Sequence, residues 1–400
     1  MLRLRCRILN QLQRGFFLSL LTYQKGVFTF IMYKNNNIET SDKSTPKILE
    51  DKTKSGKERD WKGKKRRSIL TAEHFEKAGL HSKAERMKDC ATQLVFKHTG
   101  EALKLYQAWF CKVRLCPMCN WRRSLKIAYH NKRIVETVNE RENVRWLFLT
   151  LTVKNTDAES LPETISAMFE AFRRLTKYKA FKTSVRGFFR ALEVTRDRDT
   201  HITEERYKKN PSYYKRQGLS VGDENPNYGT YHPHFHALLC VPASYFKNKD
   251  FYIKQSEWTS LWQKAMKLDY TPIVHIQKVK PKEKLDELET YEKDLKKAMK
   301  EQNAILEVSK YPVKDTDVIK GNKVTDENVE TVLALDDALA YKRLIGYGGL
   351  LKEIHKELNL GDAEDGDLVK ISEDDEVANG AFDVIARWHI GLKNYVIQGD

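Results

Sequence analysis

The chain has 400 residues, of which 40% are hydrophobic and 10% are aromatic. This is enough apolar material for two or three domains of ordinary size, and it excludes a protein that is disordered throughout. The 71 Lys and Arg residues outnumber the 55 Asp and Glu residues, which gives a net charge of +16. Such a surplus favours a polyanionic partner. Six cysteines are too few for a disulfide framework, so we expect a reducing, cytoplasmic location.

Residues 1–31 have a basic start followed by apolar runs at 15–23 and 26–32. Each run is far short of the roughly 20 residues that cross a bilayer, and no small-residue cleavage site follows. We therefore expect a dispensable extension, with Met32 as the working start, and no membrane partner. Peripheral membrane attachment is the alternative.

Residues 32–85 are expected to form a basic arm and a helix. The arm is polar and low in aromatic residues up to Lys57, which predicts a flexible segment. Nine basic residues and two acids lie between Lys52 and Arg67, a pattern that suits a phosphate backbone or, equally, solvent. Thr71 is a candidate cap for the helix that follows.

Residues 86–140 contain the first sharp motif, a set of four cysteines with the spacing C-x20-C-x4-C-x2-C. Its members are Cys90, Cys111, Cys116 and Cys119. The last two lie in one tight turn and can reach the same tetrahedral ion, which predicts a structural Zn²⁺ site. His98 is an alternative ligand for one cysteine, and buried thiols without metal are the other interpretation.

A basic helix is predicted to open at Asn120 and to run to about Arg141. Arg122, Arg123 and Lys126 lie at its start. Because Arg pairs with phosphate through a planar fork, we expect these three cations to contact DNA.

Residues 141–320 are expected to form a β-rich block. Strands are predicted at 146–153, 186–195, 231–241 and 272–279, and a helix at 161–178. The second of these strands carries Glu193 within an apolar run, where a buried carboxylate needs a partner. The polar loop from Thr200 to Gly229 carries no clear motif.

The third strand contains three histidines in five residues. His234 and His236 project from the same face because the side-chain period of a strand is two. Two imidazoles alone hold a divalent ion weakly, so a third ligand is expected, with Glu193 as first choice and His232 in reserve. This mixed set suits Mg²⁺ or Mn²⁺ acting as a Lewis acid on phosphate, and structural histidines are the alternative.

Glu307 and Tyr311 are four residues apart at the end of a long charged helix predicted from about Lys282. Lys310 and Lys314 flank the phenol. A phenol can attack a phosphodiester when cations stabilise the developing charge, and a carboxylate can take a proton from the phenol or from water. Taken alone, this spacing is most simply interpreted as a surface tyrosine that happens to follow a glutamate. Asp337 and Tyr341 have the same spacing and form a rival pair.

Residues 321–400 are expected to form a helical C-terminal segment. Two helices are predicted within 330–360, separated by a turn at the glycines between 346 and 349. Eight acids lie between 362 and 376 and favour a solvated loop. A short aromatic segment, 386–395, is expected to pack on the catalytic domain.

Together these motifs resemble the replication initiators of rolling-circle plasmids from Gram-positive bacteria, in the HUH endonuclease superfamily. A carboxylate at position 307 is typical of the branch with a single catalytic tyrosine. The resemblance covers about Trp61 to Val396 and rests on these segments: FLTLTV (148–153), LEVT (192–195), HPHFHALL (232–239), EVSKYPVK (307–314), FCKVRLCPMCNWRRSLK (110–126) and KRLIGYGGLLKEIHKELNL (342–360).

The resemblance implies an α+β fold in which helices flank a central antiparallel sheet, preceded by a small zinc-knuckle element and followed by a helical extension. It implies a nicking domain at 141–320 that acts on the plasmid's double-strand origin. Tyr311 would become joined to the 5′ phosphate and leave a 3′ hydroxyl for a host polymerase. Glu307 would then activate water, or the strand would be rejoined.

In this scheme His234, His236 and Glu193 would hold the ion at the scissile phosphate. The implied partners are origin DNA, a host helicase and a DNA polymerase. A zinc-dependent DNA-binding regulator without nicking activity is the alternative function.

Overall fold

The structure is a computed structural model that describes most of the chain. The described residues are 17–24, 27–33, 46–53, 56–98, 103–279, 309, 315–372 and 382–398. The chain divides into two units, Met1–Lys47 and Ile48–Asp400. In the first unit, β1 (Phe17–Gln24) pairs antiparallel with β2 (Val27–Tyr33), so the two apolar runs form a hairpin. No helix among the described residues combines the length and the apolar content needed to cross a membrane.

The second unit is an α+β assembly of helices and antiparallel strands, which confirms the predicted class. Its described elements run in this order: α1 (Trp61–Lys77), α2 (His81–Asp89), β3 (Gln93–His98), β4 (Leu103–Ala108), α3 (Pro117–Arg141), β5 (Val144–Thr152), α4 (Leu161–Leu175), α5 (Lys179–Ser184), β6 (Gly187–Arg196), α6 (Glu204–Lys209), α7 (Pro211–Arg216), β7 (Tyr231–Pro242), α8 (Gln255–Met266), β8 (Val274–Val279), α9 (Asp315–Val318), α10 (Asp326–Ala338), β9 (Ile345–Gly349), α11 (Leu350–Glu357), β10 (Phe382–His389) and β11 (Asn394–Ile397).

The central sheet has five strands in the order β8-β5-β7-β6-β9, and every neighbouring pair is antiparallel. Glu193 of β6 lies opposite His234 of β7, and His236 lies opposite Thr150 of β5. Residues that face each other across an antiparallel pair project to the same side of the sheet. These four side chains therefore share one face, which we call the histidine face.

The opposite face of the sheet is apolar. Leu149, Leu151 and Phe235 are fully buried there. The rings of Phe172 in α4 and Trp262 in α8 pack on Phe235 with centroid distances of 5.6 and 6.3 Å. Because full burial of each such side chain contributes roughly 1.5–3 kcal/mol, this core holds β5 and β7 in register.

Helix α3 packs across part of the histidine face. Trp146, which projects from β5 to the same side as Thr150, donates from Nε1 to Asn139 Oδ1 at 2.9 Å. The Tyr347 hydroxyl of β9 donates to Asn131 Oδ1, also at 2.9 Å. Two asparagines two turns apart thus attach the helix to both halves of the sheet.

A second sheet, with the order β11-β10-β3-β4, brings the last strands beside the region of the cysteines. The segment 386–395 belongs to this sheet, whereas it was expected to pack on the catalytic domain. Ile48 forms a bridge with Val396, and the Leu49 N–H donates to the Tyr395 carbonyl at 3.0 Å. The arm predicted to be flexible is therefore attached to the fold at Ile48 and Leu49.

Two local predictions differ from the structure. Helix α1 begins at Trp61, ten residues before the predicted cap, because the Asp60 carboxylate accepts from the Gly63 N–H at 2.9 Å. Thr71 lies inside this helix, and its hydroxyl donates to the Arg67 carbonyl.

The glycines between 346 and 349 form strand β9, not a turn. A Cβ atom on Gly348 would lie 2.2 Å from Cε1 of Phe188, and one on Gly346 would lie 3.0 Å from the Arg190 guanidinium. Glycine is required because side chains of β6 occupy the space beside this edge strand.

Candidate metal centres and their surroundings

Three side chains of the histidine face converge on one point. Glu193 Oε2 lies 3.0 Å from His236 Nε2 and 3.3 Å from His234 Nε2. Oxygen and nitrogen ligands bound at roughly 2.1 Å and at right angles around an ion lie about 3 Å apart. These two distances therefore fit neighbouring positions around a six-coordinate divalent ion, and all three ligand atoms of this triad lie within 4.8 Å of one another. The structure thus brings together the three residues that the sequence singled out.

Hydrogen bonds at the far side of each imidazole orient the triad. His234 Nδ1 lies 3.1 Å from the His232 carbonyl, and since a carbonyl can only accept, Nδ1 carries the proton. The lone pair of neutral His234 is then on Nε2, which points toward Glu193. His236 Nδ1 lies 3.1 Å from Thr150 Oγ1. Such second partners fix ring orientation in metal sites.

His232, the reserve ligand, lies beside the triad and is not part of it. Its ring stacks on His234 with a centroid distance of 5.2 Å. Burial, followed by the neighbouring His234, lowers the pKa of His232 to about 4. Glu193 is thus the third member of the set in this geometry.

The four cysteines form a second possible metal centre. They are all buried, and sulfur–sulfur distances of 3.6 Å separate Cys119 from Cys90 and from Cys111, while Cys116 lies 3.8 Å from Cys90. Four thiolates at roughly 2.3 Å from a tetrahedral Zn²⁺ lie about 3.8 Å apart. The cluster therefore fits zinc, with His98 outside it.

Burial raises the pKa of the Cys119 thiol well above its usual value. A thiolate at this depth consequently requires a cation.

The three cations at the start of α3 are placed differently from the prediction. Arg122, Arg123 and Lys126 are buried, with exposures of 5%, 1% and 7%. They donate to the carbonyls of Leu368, Glu364 and Asp367 at 2.9, 2.8 and 2.7 Å. In this arrangement they hold the acidic segment against α3, which differs from the expected role as exposed phosphate contacts.

Glu307, Tyr311, Lys310 and Lys314 lie outside the described residues. Ser309 between them is described and fully buried, and its hydroxyl accepts a hydrogen bond from Asn131 Nδ2 at 2.9 Å. Asn131 is a residue that sequence reasoning did not single out, because an asparagine within a basic helix carries no signal of a partner 178 positions away.

Asn131 also connects Ser309 to the histidine face. Its Oδ1 accepts from Tyr347, which lies opposite Phe189 of β6 and hence on the same face as Glu193, four residues further along that strand. Burial raises the pKa of Tyr347 well above its usual value, so this hydroxyl is poorly suited to ionise. Tyr341, the rival nucleophile with an acid four residues earlier, is fully exposed.

Residues 102–396 match the model of a family described as Replication protein. The chain belongs to this replication protein family. The protein named Protein rep of Bacillus amyloliquefaciens is 58% identical over 361 residues, which cover 88% of this chain and 97% of that protein. Protein rep of Lactiplantibacillus plantarum is 39% identical over 88% of this chain and 99% of its own length. No solved structure matches the chain.

A third relative, the Replication protein of Staphylococcus aureus, is 40% identical over 67% of this chain and 96% of its own length. Membership in the replication protein family confirms the resemblance to plasmid replication initiators that the sequence motifs indicated.

Proposed function

We propose that the chain starts rolling-circle replication of a plasmid as an HUH-type initiator that nicks one strand at the double-strand origin. The observation that carries this proposal is that Glu193 Oε2 lies 3.0–3.3 Å from the Nε2 atoms of both His236 and His234. A protein that only bound DNA would need no such set, whereas phosphodiester cleavage uses a divalent ion in this setting.

The attachment of the chain on both sides of Tyr311 supports its role as the nucleophile. Two positions before it, Ser309 is bonded to Asn131 on the helix that packs on the histidine face. Six positions after it, the Asp317 carbonyl accepts from Arg198, which follows the end of β6, at 3.2 Å. Because consecutive Cα atoms are 3.8 Å apart, the first attachment limits how far Tyr311 can lie from this face.

In the proposed first step, the phenolic oxygen of Tyr311 forms a bond to the scissile phosphorus as the bond from phosphorus to the 3′ oxygen breaks. The phenolic proton passes through solvent to that departing oxygen, leaving a 3′ hydroxyl and a 5′ phosphotyrosyl link. At the end of a round, Glu307 takes a proton from a water whose oxygen bonds to the phosphorus of the phosphotyrosyl link. The bond from that phosphorus to the Tyr311 oxygen breaks, and this oxygen regains a proton. Alternatively, a 3′ hydroxyl attacks the same phosphorus, displaces the Tyr311 oxygen and rejoins the strand.

Glu193, His234 and His236 would hold Mg²⁺ or Mn²⁺, which when bound polarises a phosphate oxygen. Thr150 and the His232 carbonyl keep the two imidazoles oriented for this task. The cysteine cluster would hold Zn²⁺ as a structural ion. Origin DNA, a host helicase and a DNA polymerase are the proposed partners, in the cytoplasm.

The test incubates the full chain with Mn²⁺ and a supercoiled plasmid that carries its own gene and flanking DNA. Denaturing gels then report nicks and protein covalently joined to a 5′ end. The unchanged chain and the control Tyr341→Phe should nick and form the adduct, while Tyr311→Phe should bind without nicking. Glu307→Gln should still form the adduct and should release it more slowly.

Nicking by Tyr311→Phe at the rate of the unchanged chain would contradict the assignment of the nucleophile. Binding by the unchanged chain without any nick or adduct across several ions would instead favour the zinc-dependent regulator.

A further inference from the structure

A cavity of about 300 Å³ opens beside the triad, at the end of β6 and the start of β7. Thr195 and His232, which line it, face each other across the two strands. This is the next pair on the same face after Glu193 and His234, and successive pairs on one face lie roughly 6.6 Å apart along a strand. The cavity therefore adjoins the metal ligands.

The far wall of the cavity is built by the loop between β6 and β7, which carries no clear sequence motif. Asp197, Arg206 and Asn227 line the cavity from this loop. Asp197 accepts hydrogen bonds from Arg206 at 2.7 Å and from Asn225 at 2.9 Å. Because this carboxylate is paired twice, the loop forms a fixed, polar wall and not a mobile cover.

The wall offers hydrogen-bonding groups and charges that are paired with one another. Asn155 and Asn227 contribute side-chain amides. Asn155 Nδ2 donates to Thr230 Oγ1 at 2.8 Å, which leaves its second N–H and its Oδ1 for a ligand. Asn227 uses its backbone N–H and carbonyl to shape the loop, and among the described residues its side-chain amide has no hydrogen-bond partner. Three arginines and two aspartates line the space, and each arginine is paired with a carboxylate: Arg196 with Glu330, Arg198 with Glu327 and Arg206 with Asp197.

The cavity also adjoins the chain that follows Tyr311. Arg198, one of the lining residues, donates to the carbonyls of Asp317 and Val318 at 3.2 and 3.0 Å. A DNA strand with its phosphate at the triad would therefore place a neighbouring nucleotide at this opening. The volume of the cavity suits one small ligand and is too small for a DNA duplex.

We propose that this cavity receives one unpaired nucleotide next to the scissile phosphate and that Asn155 and Asn227 read its base. The inference rests on the proposed function, since it takes the triad as the place of the phosphate. Amide groups recognise base edges through paired donor and acceptor bonds, and His232 supplies a ring of the kind on which bases stack. The loop between β6 and β7 is thus a specificity element.

The test measures base preference without relying on cleavage. The full chain with Tyr311→Phe is mixed with single-stranded oligonucleotides containing a randomised stretch, and the retained DNA is sequenced. The same selection is run after adding Asn227→Ala, Asn155→Ala or the control Asn322→Ala, which changes an exposed asparagine outside the cavity. Thermal unfolding of each variant verifies that it is folded.

We expect one position with a preference of about tenfold, which falls toward uniform in Asn227→Ala and Asn155→Ala and persists in Asn322→Ala. Asn227→Leu, which fills the space, should weaken single-strand binding as well. An unchanged preference in both cavity variants, or no preference at any position, would overturn the proposal.

The outcomes also separate this proposal from the proposed function. If the chain nicks its plasmid but the cavity variants keep the preference, the cavity assignment fails alone. If the chain never nicks but the preference disappears in the variants, the cavity is a nucleotide site of a protein with another activity.

Discussion

Lys65 places its ammonium group 2.7 Å from the carbonyl oxygen of Cys90 in the protein interior. The same group donates to the Lys88 carbonyl at 2.6 Å and to Thr92 Oγ1 at 2.9 Å. Burial lowers the pKa of this lysine, while the nearby cysteines oppose the change. A buried cation beside a tetrathiolate cluster offsets part of the negative charge that a zinc site with four cysteines carries.

We therefore expect Lys65→Met to destabilise the fold by roughly 3–5 kcal/mol. The buried carbonyls of Lys88 and Cys90 would lose their donor, and the cysteine cluster would lose the cation beside it. Urea unfolding measures the loss, and a zinc-specific dye measures faster release of the ion. Lys62→Met, on the exposed side of the same helix, is the control and should change little. Equal stabilities for the two variants would rule out a structural role for Lys65.

We predict that two buried cysteines differ in their effect on zinc binding. Cys119→Ser should lower bound zinc, measured by elemental analysis, from one ion per chain toward none, because serine is a poor zinc ligand. Cys240→Ser changes a cysteine that is equally buried but lies on β7, outside the cluster, and should keep the ion. Retention of zinc by Cys119→Ser would contradict a site with four cysteines.

The triad predicts a separate site for a divalent ion. Glu193→Gln should weaken Mn²⁺ binding, measured by paramagnetic resonance, by at least about tenfold because it removes the charged ligand. Thr150→Val should weaken it by about 10–100-fold through loss of ring orientation, with zinc content unchanged. Exposed Glu224→Gln is the matched control. Identical Mn²⁺ affinities in all three variants would place the ion elsewhere.

We expect buried His130 to make the free energy of unfolding depend on pH. Burial lowers the pKa of this histidine in the folded state to about 3, below the value of 6.5 for an ordinary histidine. Between these values the unfolded chain binds the proton and the folded chain does not. Stability from this group is therefore complete above pH 6.5 and falls by up to about 1.4 kcal/mol per pH unit below it.

Urea unfolding at pH 7.5 and pH 5 measures this slope. His130→Phe should lose less stability on acidification than the unchanged chain, and the exposed His81→Gln should behave like the unchanged chain. Equal slopes in His130→Phe and the unchanged chain would show that the folded state protonates this histidine as easily as the unfolded state.

The sequence was most informative where a short-range pattern determines geometry. The alternation along β7 predicted that His234 and His236 share a face, and the single carboxylate within an apolar run identified Glu193. The C-x2-C spacing of the two closing cysteines pointed in the same way to the tetrathiolate cluster. In each case the period or the turn settles the relation between the residues.

The sequence was least informative where the partner lies far along the chain. Arg122 is the type of residue that often contacts phosphate, yet it donates to the carbonyl of Leu368, which lies 246 positions later. Gly346, Gly348 and Gly349 predicted a turn because glycine usually marks one. Only the side chains of Phe188 and Arg190 on the adjacent strand explain why a strand needs glycine here. Such pairings follow from the tertiary fold and not from local propensity.

Strand β10 lies between β3 and β11, so a segment made among the last of the chain is an inner strand of the second sheet. Its partner β3 emerges from the ribosome nearly three hundred residues earlier. Because domains form progressively during synthesis, β3 must wait with one edge unsatisfied until the residues from Phe382 onward have been made. A chain that stops before Phe382 would thus lack the inner strand of the sheet beside its cysteines.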